Sequence, residues 1–353
     1  LLLAGLNGVV ISGDLFNLFV FLEITSISSY ALVAYKGKKE ELEASFKYLI
    51  LGSIGSIFVL LGIAFIYGNV STLNMADIAK SLEFDYNKNL IIFALSLFIA
   101  GFSIKTALVP FHGWLADAHP AAPSPVSSML SGVVIKVLGV YGLSRLIFNI
   151  FGFNYNLSLI LISLGTLSMI VGVLLAIGQW DFKRLLAYHS ISQIGYVVLG
   201  LGIGTPMGIV GGLFHLFNHS LFKSLLFLNA GAIEYNINTK NLKEMGNLSS
   251  VMPITSSSSL IASFSIAGIP PFCGFWSKLF IILAAFMANL KLAGFLCIIV
   301  SLITLASFLK VQKYAFLDKT DKNFQGIKEV PFSMVFAMSI LAILCILVGL
   351  FFP

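Results

Sequence analysis

The chain has 353 residues, 58% of them hydrophobic and 10% charged, with a mean hydropathy of +0.98. Soluble domains carry roughly 25% charged residues, so the composition excludes a water-soluble globule and describes an integral membrane protein. The net charge of +6 would suit nucleic acid or an acidic partner, but the charges fall where membrane orientation puts them, and no nucleic-acid partner is expected.

Apolar stretches of about 20 residues recur along the whole length, as a hydrocarbon core roughly 30 Å thick demands of α-helices. A β-barrel would show shorter alternating strands. The predicted spans are 15–35, 48–67, 90–109, 126–148, 157–178, 185–203, 207–233, 252–287, 293–316 and 331–352, preceded by an apolar fragment at 1–12. Because Leu1 opens in mid-apolar sequence without an initiator Met, the fragment reads as the end of a longer helix in an N-terminally incomplete chain. A cleaved signal peptide is the weaker reading, since no basic region precedes it. With span 15–35 running outside to inside, thirteen basic residues collect on one side, among them Lys36, Lys47, Lys183, Arg184, Lys240, Lys310, Lys319 and Lys322. The other side holds four, Lys80, Lys88, Arg145 and Lys291. That asymmetry is the positive-inside pattern. Loops are short, and the longest, at 68–89, contains DIAKSLEFDY, which suits a short amphipathic surface helix with a solvated charged face.

Two spans are irregular in the same way. Residues 252–287 carry one charged side chain, Lys278, and at 1.5 Å per residue a straight helix of that length would run about 54 Å, too long for one crossing. The break is written in SIAGIPPFCGFW, where Gly268, Pro270, Pro271 and Gly274 loosen the helix and remove donors. FSIKTALVPFHGW at 102–114 repeats that design, offset by 162 residues at FSI and 161 at P-F-x-G. The offset separates two groups of five crossings, about 1–148 and 157–316. Five is odd, so the second group would be inverted. The expected fold is therefore all-α: one polytopic transmembrane domain of two inverted five-helix repeats, each with a broken helix, as in many transporters.

Ionisable residues inside spans cost roughly 2.5–3.5 kcal/mol at a helix centre on insertion scales and are functional by default. Those weighed first, the ones away from span ends and other than histidines, are Glu23, Lys105, Lys136, Lys223 and Lys278. A structural ion pair would account for Glu23 and one lysine and leave three lysines without an acidic partner in the spans. Lys105 is the expected partner of Glu23. Lys136 is near the centre of its span among small Ser131, Gly132 and Gly139, too deep to snorkel. Desolvation disfavours a charged ammonium and a nearby carboxylate restores it, so such a lysine can exchange protons with water.

In HLFNHSLFK, His215, His219 and Lys223 recur every four residues and share one helix face. The HxxxH spacing suits a metal, but no HExxH and no acidic or Cys ligand completes a site, so no metal is expected and a hydrated, proton-exchanging stripe fits better. His189 in LLAYHSISQIGY either extends that stripe or merely packs. His112 and His119 flank the first broken helix and weigh equally for function and for packing. Asp117, Pro120, Pro123 and Pro125 read as a rigid turn on the basic side, either a water entrance or a plain re-entrant connector. Cys273, Cys297 and Cys345 are far apart and suit core-packing thiols.

The runs GLNGVVISGDLFNLFVFLEITSISSYALVAY, KTALVPFHGWLADAHPAAPSPVSSMLSGVVIKVLGVYGLSRL and GIPPFCGFWSKL resemble the antiporter-like subunit family. That family supplies proton-channel subunits to respiratory complex I, membrane-bound hydrogenases and multisubunit sodium/proton (Mrp-type) antiporters, and the likeness covers nearly the whole chain. It implies a 14-helix fold of which this chain would lack about the first three helices. Glu23 matches the family's fifth-helix glutamate, Lys105 its seventh-helix lysine, Lys136 its eighth-helix lysine and Lys278 its terminal twelfth-helix residue, a glutamate in some members. His189, His215 and His219 match its connecting histidines less closely. The wording around Glu23 and GDLFNLF is nearest to the D-type antiporter member of the family and its hydrogenase relatives.

The expected function is a proton-moving membrane subunit, with Na⁺ as a candidate counter-ion, working beside other membrane subunits in the cell inner (plasma) membrane. Lys105, Lys136, His215 or His219, and Lys278 would line up at similar depth, with Lys278 as the exchange site towards the outside. No flavin or nicotinamide fingerprint, cluster-binding cysteine set or haem signature is present, so no cofactor is expected and any redox chemistry falls to partner subunits. Membership of an NADH:quinone oxidoreductase-like, hydrogenase or antiporter complex stays open. The alternatives are a non-conducting structural subunit, with its charges frozen as ion pairs, and a carrier for a small organic solute. The carrier would want a roomy site with aromatic or Arg anchors, whereas the only arginines, Arg145 and Arg184, lie at span ends.

Overall fold

A computed structural model describes residues 1–83, 87–318 and 326–352. The end of the acidic loop motif at 84–86 and the basic-side residues Lys319 and Lys322 lie outside the described residues. Among the described residues there is no strand, only helices and two isolated bridges. The α-helices are α1 (Leu2–Ile11), α2 (Leu15–Val33), α3 (Lys39–Val70), α4 (Met75–Ser81), α5 (Lys88–Thr106), α6 (Gly113–Ala121), α7 (Ser124–Met129) and α8 (Gly142–Leu146). They continue with α9 (Tyr155–Ile177), α10 (Phe182–Ile203), α11 (Pro206–Ile237), α12 (Leu248–Val251), α13 (Pro253–Ala267), α14 (Gly274–Met287), α15 (Lys291–Val311) and α16 (Phe332–Phe351). Among the described residues, eight helical stretches are long and apolar enough to cross a membrane. Span 207–233 becomes the longer α11, and span 252–287 is two shorter helices, α13 and α14.

The chain divides into two compact units, one of residues 1–122 and 133–158, the other of 123–132 and 159–353. The predicted span 126–148 is thus shared between them. It is also not a plain α-helix: π-helical turns run over Leu130–Val134, Lys136–Tyr141 and Ile147–Phe151 on either side of α8. A further π-turn, Gln312–Leu317, extends α15.

Two local devices occur in both units. In the first unit, Asp14 caps α2 by accepting from the Phe16 and Asn17 amides and bridges to Asn74, the cap of α4. In the second unit, Asp181 caps α10 through the Arg184 amide and bridges to Asn241, which caps the 3₁₀ turn Leu242–Glu244. Both bridges pin a helix start to the end of the following hairpin and so settle the first orphan amides of the helix.

The broken helices also follow one hydrogen-bond scheme. α5 ends with Ala107 in the left-handed region at φ 58°, its amide donating to the Ile104 carbonyl at 3.1 Å and the Leu108 amide to Ser103 at 3.0 Å. α13 ends with Gly268 at φ 83°, its amide donating to Ser265 at 3.1 Å and the Ile269 amide to Phe264 at 3.0 Å. This is the Schellman stop, followed in both by a cis X-Pro bond, Val109–Pro110 and Pro270–Pro271, and then by a new helix. α6 covers Asp117, His119 and Pro120, where the sequence suggested a rigid turn; Leu115, Ala116 and Ala118 favour the helix and Pro120 falls only in its last turn, so the turn shrinks to Ala122 and Pro123. The loop helix expected at 68–89 is the seven-residue α4.

Packing in the second unit relies on close approach of small residues, as in membrane bundles generally. A Cβ on Gly195 of α10 would come within 2.5 Å of the Met169 amide and 2.6 Å of the Gly165 carbonyl on α9. Around that contact a hydrophobic core gathers Met169, Val173, Leu199, Ile281, Ala284 and Val300.

A left-handed alanine costs about 1–2 kcal/mol that glycine avoids. Ala107→Gly should therefore raise the unfolding temperature of the detergent-solubilised protein. Gly268→Ala should lower it, since the new methyl would also sit 2.9 Å from Lys278 Cδ; thermal unfolding monitored by scanning fluorimetry reads both.

Candidate functional site: buried lysines at two helix breaks

In the first unit the break in α5 holds Lys105 near its end, 5% exposed. Its Nζ lies 2.9 Å from Ser26 Oγ and 3.5 Å from Glu23 Oε1, both on α2. Ser56 of α3 donates to the same Glu23 oxygen, so one carboxylate ties three helices. Glu23 and Ser26 are about one helical turn apart and so share a face, which lets the ammonium reach a carboxylate and a hydroxyl together. The Ile104 carbonyl, at the helix stop, accepts from Trp114 Nε1 at 3.0 Å, and the Trp114 ring stacks on Tyr48 with centroids 4.1 Å apart.

Lys136 is 4% exposed and begins a π-turn that packs on α5. Gly139 allows this approach, since a Cβ there would come 2.8 Å from Thr106 Cα. π-turns inside helices concentrate at functional sites because they widen the backbone spiral locally. His112 starts α6 and His119 is fully buried on it. Asp117 joins the rim of this unit, where Lys47 pairs with it at 3.0 Å and with Glu43 at 2.9 Å.

In the second unit the lysine reaches the break from the other side. Lys278 is on α14, after the break, and its Nζ donates to the Ile266 and Ala267 carbonyls at 2.8 and 3.4 Å. These are last-turn carbonyls of α13, where the helix dipole favours a cation. Counted back from the left-handed residue of each break, Ile266 stands where Lys105 stands in the first unit. Lys278 also lies over the Tyr196 ring, 4.8 Å from its centroid.

His215 joins this group. Its Nδ1 is 2.9 Å from Ser277 Oγ, its Nε2 is 3.1 Å from Gln193 Oε1, and its ring centroid is 5.6 Å from that of Tyr196. Thus Lys278, Tyr196, Ser277, His215 and Gln193 form one buried polar cluster. His219 and Lys223 follow on α11, buried, with His219 against the edge of Phe222 and Lys223 over Phe227. His189 is fully buried, its Nε2 2.8 Å from Ser307 Oγ on α15. Among the described residues no three His, Cys, Asp or Glu side chains converge as a metal site requires.

Three features escaped the sequence reading. Lys183, grouped there with the basic loops, is 2% exposed in the first turn of α10 and pairs with Glu234 of α11 at 2.6 Å. Tyr196 and Gln193 looked like ordinary interior residues of a polar helix. The serines at 26, 56 and 277 carried no signal beyond being polar within a span, although Ser26 falls one turn after Glu23 and Ser277 directly before Lys278.

The match to known proteins settles what kind of membrane protein this is. The family described as NADH:quinone oxidoreductase/Mrp antiporter, transmembrane, matches residues 12–304. The chain belongs to this family. It is 41% identical over 320 residues to the D-type subunit of the Na⁺/H⁺ antiporter of Alkalihalophilus pseudofirmus, covering 89% of this chain and 64% of that protein. It is 34% identical over 363 residues to the N-type subunit of the NADH-quinone oxidoreductase of Desulforudis audaxviator, covering 99% of this chain and 72% of that protein. Among solved structures, a chain of the Mrp complex from Dietzia sp. superposes with a TM-score of 0.92 at 30% identity, over 99% of this chain and 73% of that one. A chain of the archaeal membrane-bound sulfane sulfur reductase gives 0.89 at 36%, over 99% and 71%. This chain therefore spans from 64% to 73% of the length of these relatives. Membership of the family makes it a multi-pass, all-helical membrane protein, as the sequence reading expected.

The Glu23–Lys105 pair is open to a direct test of coupling. Glu23→Gln and Lys105→Met should each destabilise the protein, and the double variant should cost less than the sum, with a coupling energy of about 0.5–3 kcal/mol. Thermal unfolding of the four proteins in one detergent measures the cycle.

Proposed function

We propose that the chain is a proton-translocating subunit of a multisubunit cation/proton antiporter or a redox-driven pump, working with other membrane subunits in the cell's inner (plasma) membrane. Na⁺ is the exchanged ion in the antiporter case. The observation that carries the reading is the presence, in each unit, of a buried lysine held at a helix break by groups that accept its hydrogen bonds. A proton is not stable alone in hydrocarbon, so it passes between groups that each hold it at modest cost.

In the first unit, Glu23 is the switch for Lys105. Its carboxylate faces the Lys105 ammonium, and a proton arriving at Glu23 or a positive charge nearby weakens that contact and frees the lysine to give up its own. Lys136 is the central acceptor. In the second unit, His215, held between Ser277 and Gln193, passes the proton towards Lys278, whose ammonium donates to the Ile266 and Ala267 carbonyls. Na⁺/H⁺ antiport in the name of the Alkalihalophilus relative and the assembly of the structural relatives into complexes support the partner and ion assignments.

A non-conducting structural subunit is the competing reading, and the tight Glu23–Lys105 contact is the observation in its favour. Lys278 speaks against it. Among the described residues no carboxylate pairs with this buried ammonium, and a frozen charge without a counter-charge is an expensive way to hold helices together.

Lys136→Ala should abolish proton transport in membrane vesicles while leaving complex assembly intact. Lys136→Arg should fail as well, because arginine keeps its proton at any physiological pH. Normal transport by Lys136→Ala at normal expression would reject the relay and favour the structural role.

A further inference from the structure

In the second unit, α9 and α15 are tied directly to each other on the basic side. There Lys310 of α15 donates from Nζ to the Ile177 carbonyl at the end of α9 and to the Gln179 carbonyl just beyond it, both at 2.7 Å. Towards the opposite side, which has few basic residues, a groove of about 580 Å³ lies between the two helices. Its wall along α9 runs from Ile162 to Ile170, about 12 Å at 1.5 Å per residue. One leaflet's hydrocarbon is about 15 Å deep, half of a core roughly 30 Å thick. The groove therefore has the depth of an acyl chain in one leaflet, and its volume is within the roughly 300–1,000 Å³ of small-molecule sites. Its lining is mostly apolar, with Ile162, Leu167 and Ile170 on one wall and Leu290, Leu292 and Leu296 on the other.

The mouth is charged. Lys291, exposed, is the first residue of α15 and lines the outer end of the groove. A helix start favours anions, because its first amides lack intrahelical acceptors. Here no side chain caps the start and no acid lies in the first turn. The helix before it does not need the lysine, since the Ala284, Ala285 and Phe286 carbonyls of α14 accept from the Ala288, Leu290 and Asn289 amides. None of the groove's lining residues is acidic. A cation and the positive end of a helix thus meet above an apolar slot whose lining holds no counter-charge.

A second observation comes from inside the groove. Thr166 is in its lining, and the Thr166 hydroxyl is buried without a hydrogen-bond partner. Ser163 on the same wall returns its hydroxyl to the Leu159 carbonyl at 2.7 Å, and Thr304 of α15 does the same to Val300 at 2.8 Å. Thr166 makes no such bond. An unmet buried hydroxyl is costly, and a staggered turn about χ1 presents it to the groove. An occupant that carries an oxygen acceptor settles it, whereas bare hydrocarbon does not.

We infer that the α9–α15 groove binds one anionic phospholipid from the leaflet opposite the basic side. An acyl chain fills the slot, the phosphate sits at Lys291 and the start of α15, and an oxygen of the glycerol linkage accepts from Thr166. Net head-group charge decides the class, because a choline or ethanolamine cation finds no acid in the lining. The lipid also backs the first turns of α15, where the Cys297 carbonyl accepts from the Tyr196 hydroxyl at 2.5 Å beneath the Lys278 ammonium. The site does not depend on which ion the protein moves.

The test uses the intact complex, delipidated in detergent, and phosphatidylglycerol with a photoactivatable group on one acyl chain. Mass spectrometry of the cross-linked peptides should place the label within residues 162–170 of α9 or 292–296 of α15. Unlabelled phosphatidylglycerol should compete at a concentration about tenfold lower than phosphatidylcholine with the same chains, a difference of about 1.4 kcal/mol. Lys291→Glu should cut labelling about fivefold, the worth of one lysine facing an anionic lipid. Lys88→Glu, the same charge change at another helix start on the same side, should leave labelling unchanged. Leu167→Trp, which fills the slot from a half-exposed position, should abolish labelling at normal assembly with Lys291 intact. Equal competition by the two lipids, or full labelling of Lys291→Glu, overturns the site in favour of ordinary boundary lipid. Absence of label from the groove overturns it too, whether or not cross-links show a partner subunit's helix there instead.

Discussion

A helix that stops inside a membrane exposes backbone groups that lipid cannot satisfy, and the two breaks in this chain answer that constraint with polar side chains. After α5, the Ile104 carbonyl is met by Trp114. After α13, the Ile266 and Ala267 carbonyls are met by the Lys278 ammonium. The second solution brings a titratable group to membrane depth and lowers the cost of keeping it there. In the first unit the lysine precedes the break, so its charge is met by Glu23 and Ser26 instead. The same backbone stop thus supports two different settings for a buried ammonium.

Hydroxyls and amides carry much of the remaining polar load. Serine and threonine side chains return hydrogen bonds to carbonyls of their own helix, as Ser263 does to Ser259 and Thr304 to Val300, and still have lone pairs to offer. That makes them inexpensive occupants of a span and adaptable partners for water. Where a full charge is buried, the structure supplies directed partners: Glu234 for Lys183, Glu23 for Lys105, carbonyls and the Tyr196 ring for Lys278. Small residues permit this density of contacts, since Gly195 and Gly139 admit neighbouring backbone where any side chain would collide.

The sequence showed the crossings, the two breaks and the Glu23–Lys105 contact, because apolar length, Gly-Pro punctuation and an isolated charge in lipid-grade sequence are local signals. It hid features that depend on which face meets which neighbour. Lys183 looked like a loop cation, being next to Arg184 and two residues after Asp181; only the fold reveals Glu234 beside it. The helix over Asp117 and His119 was obscured by three nearby prolines, whose local stiffness reads as a turn. The π-turns at Lys136 and Gln312 leave no compositional mark. Lys278 was legible as a buried charge, but not its partners, because carbonyl acceptors are invisible in a list of side chains.

The central claim is that an exchangeable proton at a helix break carries the function. The most direct measurement is the initial rate of proton uptake by vesicles containing the intact complex with Lys278 replaced. The account predicts loss of transport for Lys278→Ala and for Lys278→Arg, with substantial transport retained by Lys278→Glu, whose protonated carboxyl can donate to the Ile266 carbonyl and then release its proton. Equal transport by all three variants would contradict it, since the site would then be serving shape alone.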